Sequence, residues 1–236
     1  MYQYESRVRY SETDSRGKLS LPDLLEYFQD ASIFHSEELG LGVEYLREKG
    51  QLWALSSWQI VIYNYPKLCE KITVGTAPYD FKGFIGFRNF WMLNESGEQL
   101  AVANSVWSLI QVADGKPVKP SQDMLDGYKL SPKLDMEYAD RKVKLEGEGK
   151  AYEPITVMPH HLDTNMHVNN GQYVRIAMNY LPREFSIGQL RAEYKMQAVL
   201  GTKLYPVVYD YGKKIGVSLQ DEKGAVYCNI EVTSAE

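Results

Sequence analysis

The chain has only two cysteines and four histidines in 236 residues, no apolar run of bilayer length and no surplus of positive charge. Cys69 and Cys228 are far apart in segments that read as apolar and strand-like, so two small buried thiols are expected and a disulfide is not. The longest uncharged stretches, 50–66 and 99–113, are broken by polar residues and fall short of the roughly 20 apolar residues a membrane helix needs. No membrane span is expected. The opening Met1-Tyr-Gln-Tyr-Glu-Ser-Arg7 has neither the basic nor the apolar part of an export signal, which makes the cytoplasm the expected location. Twenty-six basic against thirty-one acidic side chains leave a net charge of −5, without the positive footprint of a nucleic-acid binder. A Gly-x-Ser-x-Gly elbow, a phosphate loop and a dinucleotide fingerprint are all missing, which removes support for serine-hydrolase and nucleotide chemistry.

What is present in quantity is tyrosine, eighteen of them, with seven Phe and four Trp; this composition suits half-buried sheet surfaces. Tyr4 to Tyr10 alternates like a strand, and Glu12 to Gly17 reads as a turn. Ser20 is placed to cap a helix whose Leu21, Leu24, Leu25, Phe28 and Ala31 recur at helical spacing, with Gly40 and Gly42 as its stop. Strand patterns follow at 58–63, 71–74, 84–91 and 100–112, separated or followed by turn residues such as Ser96-Gly97 and Asp114-Gly115. Residues 115–150 carry Pro117, Pro120 and Pro132, many charges and little periodicity beyond one short helical stretch, the composition of a linker.

The pattern then repeats. Ala151 to Val157 is strand-like, 162–167 is a polar loop, and Asn169 or Asn170 caps a helix with Tyr173, Val174, Ala177, Met178 and Leu181 on its apolar stripe, ended by Pro182. Strands resume at 189–198, 203–211, 215–220 and 226–232. Asp14 corresponds to Asp163 at an offset of 149, Lys71 to Lys203 at 132 and Gly97 to Gly224 at 127, so the second copy is trimmed, mostly after its helix. The expected fold class is α+β: two tandem copies, each a long helix wrapped by a curved antiparallel sheet, together an internal pseudo-dimer. The boundaries read as 1–127 for the first domain, 128–150 for the linker and 151–236 for the second domain.

Asp163, Asn165 and His167 alternate along a segment expected to be extended, which would put the three side chains on one side just before a helix. Backbone N–H groups at a helix start carry partial positive charge and can hold a developing oxyanion. The set has the parts for acyl hydrolysis: His167 as base or water polariser, Asp163 to orient or balance it, Asn165 to position carbonyl or water. An Asp-x-Asn turn before a helix is equally a common way to satisfy backbone groups, and the spacing alone leaves both readings open. The first copy, Asp14-Ser-Arg-Gly-Lys-Leu-Ser20, has Arg16 where Asn165 falls and Lys18 or Leu19 where His167 falls, as one active and one retired site would show, or equally drift between two structural loops. His160 and His161 with His167 and Asp163 match no zinc spacing. His35, on the apolar face of the first helix, reads as a core or pocket histidine.

These residues resemble the acyl-acyl carrier protein thioesterases of bacteria and plant plastids. The resemblance rests on Tyr10-Ser-Glu-Thr-Asp14, Leu24-Leu-Glu-Tyr-Phe-Gln-Asp-Ala31, Trp53-Ala-Leu-Ser-Ser-Trp58 and, most specifically, Asp163-Thr-Asn-Met-His-Val-Asn-Asn170 with Tyr173. It covers nearly the whole chain. It implies two tandem hotdog domains and hydrolysis of a fatty acyl thioester to free acid and the carrier's phosphopantetheine thiol, with Asp163, Asn165 and His167 at the family's catalytic positions. No metal or redox cofactor is implied. Plant members carry an acidic residue and then Cys a few residues beyond a Glu-Tyr pair; here Glu193-Tyr194 is followed by Gln197 and Ala198, so no thiol nucleophile stands there. Gln197 cannot be a base, but its amide can place a water or bind the carbonyl, and it joins the candidate set.

The resemblance also implies that the first domain, the inactive copy, holds the acyl chain. The carrier is acidic and is expected to dock on local cations, with Arg175, Arg183, Arg191, Lys195, Lys213 and Lys214 as candidates. Three competing functions share the fold: an acyl-coenzyme A thioesterase, a non-catalytic acyl-binding regulator and a hydroxyacyl dehydratase. Chain-length preference and association into a homodimer through exposed sheet edges are not encoded in any pattern found here.

Overall fold

The computed structural model describes residues 1–235 and divides into two units, 1–56 with 62–138 and 57–61 with 139–236. The first unit begins with strand β1 (Tyr2–Arg7), then α1 (Leu21–Glu38), a short α2 (Val43–Glu48), and strands β2 (Gln51–Ile62), β3 (Lys71–Lys82), β4 (Ile85–Asn94) and β5 (Gln99–Gln111), with α3 (Gln122–Gly127) after them. Its strands are ordered β1-β3-β4-β5-β2, and the β1–β3, β3–β4 and β4–β5 pairs are antiparallel. Ser20 caps α1 as expected, its hydroxyl accepting the Asp23 N–H at 3.3 Å. Leu21, Leu24, Leu25, Phe28 and Ala31 are all buried, and the Phe28 ring lies 5.4 Å from Phe90 of β4. Each of these leucines and Phe28 contributes roughly 1.5–3 kcal/mol of hydrophobic stabilisation. The apolar stripe is therefore what seats α1 on the sheet. The helix stops at Glu38, and the one-and-a-half turns of α2 lie beyond its glycines, in a stretch too short to show a period.

In the second unit β6 (Lys150–Ala151) and β7 (Ile155–Thr156) are followed by α4 (Asn170–Met178) and strands β8 (Ile187–Tyr194), β9 (Lys203–Asp210), β10 (Lys214–Gln220) and β11 (Val226–Ser234). Residues 57–61 of β2 belong here, with Trp58 opposite Ala192 and Ile60 opposite Leu190. The order runs β8-β11-β10-β9-β6, with β7 also on β9. Tyr173, Val174, Ile176 and Ala177 turn the buried face of α4 onto the sheet. Each unit is thus a helix on an antiparallel sheet, the hotdog arrangement. Among the described residues no helix is long and apolar enough to cross a membrane.

Residues 128–150 are not a free tether. Residues 128–138 stay with the first unit: Asn89 Oδ1 on β4 accepts the Leu134 N–H at 3.1 Å and the Tyr138 hydroxyl at 2.9 Å. Residues 139–146 form a strap over the outer face of the second sheet. The Ala139 N–H donates to Gln59 Oε1 at 2.9 Å, the Val143 N–H to Glu193 Oε2 at 3.0 Å, and Asn229 Nδ2 to the Val143 carbonyl at 3.2 Å. Leu145 presses so close to β10 that a Cβ at Gly216 would meet its Cδ2 at 2.4 Å. Gln59 and Asn229 are buried polar residues on strands, and the strap supplies partners that an uncovered sheet would leave to water.

Two expectations change. Cys69 is exposed, in a turn with φ 67°, because β2 ends at Ile62 and the chain reverses through Lys67–Glu70; Cys228 is buried as expected. The segment 163–167 is a closed turn and not an extended strand.

Candidate functional site

The loop before α4 is built by one carboxylate. Asp163 Oδ1 accepts the backbone N–H groups of Asn165 at 2.8 Å and His167 at 3.2 Å, while the Asp163 N–H donates to the His167 carbonyl at 2.8 Å. Met166 closes the reversal with φ 62°. One carboxylate oxygen that accepts two nearby backbone N–H groups outcompetes an extended path, so side chains 163, 165 and 167 do not line up at a period of two. Leu162 and Val168 then pair across the base of the turn, and Asn169 caps α4 by accepting the Gly171 N–H at 2.7 Å. That helix-start N–H is consequently already taken.

The first unit contains the same loop. Asp14 Oδ1 accepts the N–H groups of Arg16 at 2.9 Å and Lys18 at 3.1 Å, the Asp14 N–H donates to the Lys18 carbonyl at 2.8 Å, and Gly17, with φ 70°, occupies the place of Met166. Thr13 pairs with Leu19 as Leu162 does with Val168. The offset of 149 therefore holds residue by residue, and Lys18 is the counterpart of His167. In the first loop Arg16 also donates to Asp14 Oδ2 at 2.9 Å, and hydrogen bonds to its carboxylate hold Asp14 below the usual carboxylate range despite the opposing effect of burial. With Asn165 in that place, the second loop has no such ion pair.

His167 is half-buried, and its Nδ1 is a buried ring nitrogen without a hydrogen-bond partner among the described residues. Asp163 thus supports the His167 backbone and not Nδ1 of its ring. His167 pairs with Val199, and the Val168 N–H donates to the Ala198 carbonyl at 2.9 Å, which brings the segment carrying Gln197 alongside the loop. Asn165 and Gln197 are both exposed. Two tyrosines brace the assembly: Tyr173 of α4 accepts the Ala198 N–H at 3.0 Å, and the Tyr194 hydroxyl donates to the Asn170 carbonyl at 3.1 Å, with their rings edge to face at 5.9 Å. Tyr194 as a brace was missed in the sequence, where only the Glu-Tyr pair drew notice. Burial pushes the Tyr173 phenol well up, so it stays a neutral hydroxyl. His161 accepts the Met158 N–H at Nδ1, 3.0 Å, which uses it in the preceding turn. Among the described residues no group of three or more His, Cys, Asp or Glu side chains is arranged to hold a metal ion.

A family model described as the acyl-ACP thioesterase N-terminal domain matches residues 1–128. The chain belongs to the acyl-ACP thioesterase family. Family relatives include the chloroplastic acyl-[acyl-carrier-protein] hydrolase FATB1 of Cuphea viscosissima, 24% identical over 218 residues, covering 85% of this chain and 52% of the relative. The chloroplastic oleoyl-acyl carrier protein thioesterase 1 of Arabidopsis thaliana is 26% identical over 202 residues, covering 78% and 55%. The chain thus spans about half the length of these curated relatives. Among solved structures, an acyl-ACP thioesterase from Bacteroides thetaiotaomicron superposes with a TM-score of 0.91 at 21% identity, covering 99% of this chain and 97% of that one, which supports the tandem hotdog fold.

Proposed function

We propose that this family member hydrolyses fatty acyl-acyl carrier protein thioesters to free fatty acid and carrier thiol, with the chemistry in the second unit. The observation that carries this reading is the His167 imidazole: a half-buried ring with an unpartnered inner nitrogen, on a loop whose twin in the first unit bears Lys18 instead. In the proposed course the imidazole takes a proton from water as its oxygen bonds to the thioester carbon. The C–S bond then breaks, and the sulfur, whose thiol has an ordinary pKa of about 8.5, departs as thiolate and accepts that proton from the imidazolium, directly or through solvent. The exposed amides of Asn165 and Gln197 are the donors proposed for the oxyanion, since Asn169 already occupies the Gly171 N–H. The acyl chain is read into the first unit, whose buried core includes Phe28, Phe90 and Met92.

The test is release of fatty acid from acyl-carrier protein, with the same acyl groups on coenzyme A for comparison. His167→Ala should lower turnover on the order of 10²–10⁴-fold. The triple change Asn165→Arg, Met166→Gly, His167→Lys rebuilds the first unit's loop on the same scaffold, so it should fold and be inactive. Full activity in that variant would remove the loop from the chemistry. Enoyl thioester in place of free acid would replace hydrolysis by dehydration.

A further inference from the structure

The strap over the second sheet carries a feature that the catalytic loop does not use. Ala139, Asp140, Arg141, Lys142, Lys144 and Arg191 line a surface depression of about 590 Å³. Four cations face a single carboxylate there, on a chain whose net charge is −5. The backbone beneath is fixed: Arg191 donates to the carbonyls of Asp140 and Lys142 at 2.7 and 2.8 Å and to Glu231 Oε1 at 3.0 Å. Val143 between them is buried, held by Glu193 and Asn229. Arg191 is therefore spent on the architecture. Arg141, Lys142 and Lys144 are exposed and form no ion pair with any described residue.

Three unpaired cations on a pinned segment are a preset positive surface, which costs less ordering on association than the same charges on a mobile tether. We infer that this strap is the docking surface for the acidic protein that carries the acyl group, with Arg141, Lys142 and Lys144 as its contacts. The inference rests on the proposed function for the partner's identity. Location agrees with it. From Arg191 at the strap, β8 continues to Tyr194 and the chain runs on through Lys195 to Gln197 beside the catalytic loop, six residue steps that span at most about 22 Å. A carrier seated on the strap needs only a flexible arm of that order to deliver its thioester to His167. Rim charges of this kind set encounter rate and salt dependence more than the chemical step.

The experiment reverses the three charges together, Arg141→Glu, Lys142→Glu and Lys144→Glu. Their side chains are exposed and the strap's hydrogen bonds go through other groups. Turnover of acyl-carrier protein should show KM raised about tenfold or more with kcat little changed, and its salt dependence should flatten. Hydrolysis of the same acyl group on N-acetylcysteamine, a small neutral thioester, should be unchanged. Calorimetric binding of holo-carrier protein to the wild type, lost in the variant, reads the inference without any hydrolysis. If the wild type cleaves no thioester, the functional reading fails while the binding measurement still decides this one. Unchanged KM and binding in the variant overturn the inference. So does an equal loss on the small thioester, which would make the strap part of the site. An equal loss with acyl-coenzyme A and carrier substrates would assign the cations to a phosphate common to both and likewise overturn it.

Discussion

The Asp163 carboxylate accepts the backbone N–H of His167 at 3.2 Å, and Asp14 does the same for Lys18 at 3.1 Å in a loop that has no histidine. An interaction kept where the imidazole is absent belongs to the scaffold. Asp163 is on this ground a positioning residue: it sets the turn that presents His167, and the polar side chains of Asn165 and His167, which replace Arg16 and Lys18, are what the second loop adds to that shared turn. Asparagine retains a carbonyl oxygen able to accept both N–H groups, whereas alanine retains none. Asp163→Asn should therefore keep kcat within about tenfold of wild type, while Asp163→Ala should lose on the order of 10²-fold together with thermal stability. Steady-state kinetics on both variants checks this; equal, large losses with unchanged melting would make the negative charge itself essential.

Met166 sits at φ 62° where its counterpart in the first unit is Gly17 at φ 70°. A side chain in this left-handed region costs about 1–2 kcal/mol, and Met166 is 62% exposed, so it has little burial to offset the strain. Met166→Gly should raise stability by about 1 kcal/mol, a shift of roughly 2–4 °C in Tm for a chain of this size. Calorimetry on the single variant decides it, and a lowered Tm would mean that the methionine makes contacts worth more than the strain.

The helices were legible because their signals are local. Ser20 caps, and leucines and Phe28 three or four residues apart point inward, whatever the rest of the chain does. The repeat was legible as well, since Asp14 and Asp163 head loops of equal length. The loop's course was not: extrapolating period two from the alternation of Asp163, Asn165 and His167 ignored that the first of them folds the backbone onto its own carboxylate. The strap was hidden for a different reason. Its partners Glu193 and Asn229 lie 50 and 86 positions from Val143, and proline with charge reads as linker until the sheet that pins it is known. Cys69 was misjudged because the turn after Pro66 outweighs the apolar residues around it.

The two thiols should now behave differently. Cys69 is exposed, whereas Cys228 is fully buried on β11 and burial, with Glu193 nearby, pushes its thiol well up. A thiol-specific reagent should modify one cysteine per native chain, mapped by mass spectrometry to the peptide containing Cys69, and two after unfolding. Rapid labelling of Cys228 in the native state would mean that β11 opens far more readily than its buried position implies.

His35 gives the first unit a pH dependence of its own. Its ring is buried, stacked on Tyr2 at 5.9 Å, and its Nδ1 lies 3.0 Å from the Arg88 guanidinium, which can only donate. Nδ1 must therefore be an acceptor and the ring neutral. Burial, reinforced by the charge of Arg88, pulls its pKa from about 6.5 to about 4. Arg88 is itself buried, with burial bringing its guanidinium down to about 10, and it makes a further hydrogen bond to Thr76 at 3.3 Å. Because the folded pKa lies below the unfolded one, the unfolded chain binds the extra proton between pH 6.5 and 4. The contribution of His35 is complete above about pH 6.5 and declines as pH falls toward 4. Urea unfolding at pH 7.5, 5.5 and 4.5 should show this decline in the wild type. His35→Gln has no proton to gain and keeps an oxygen for Arg88 to donate to, so its stability should fall less steeply across the same range. Parallel curves for the two proteins would place the titrating group elsewhere.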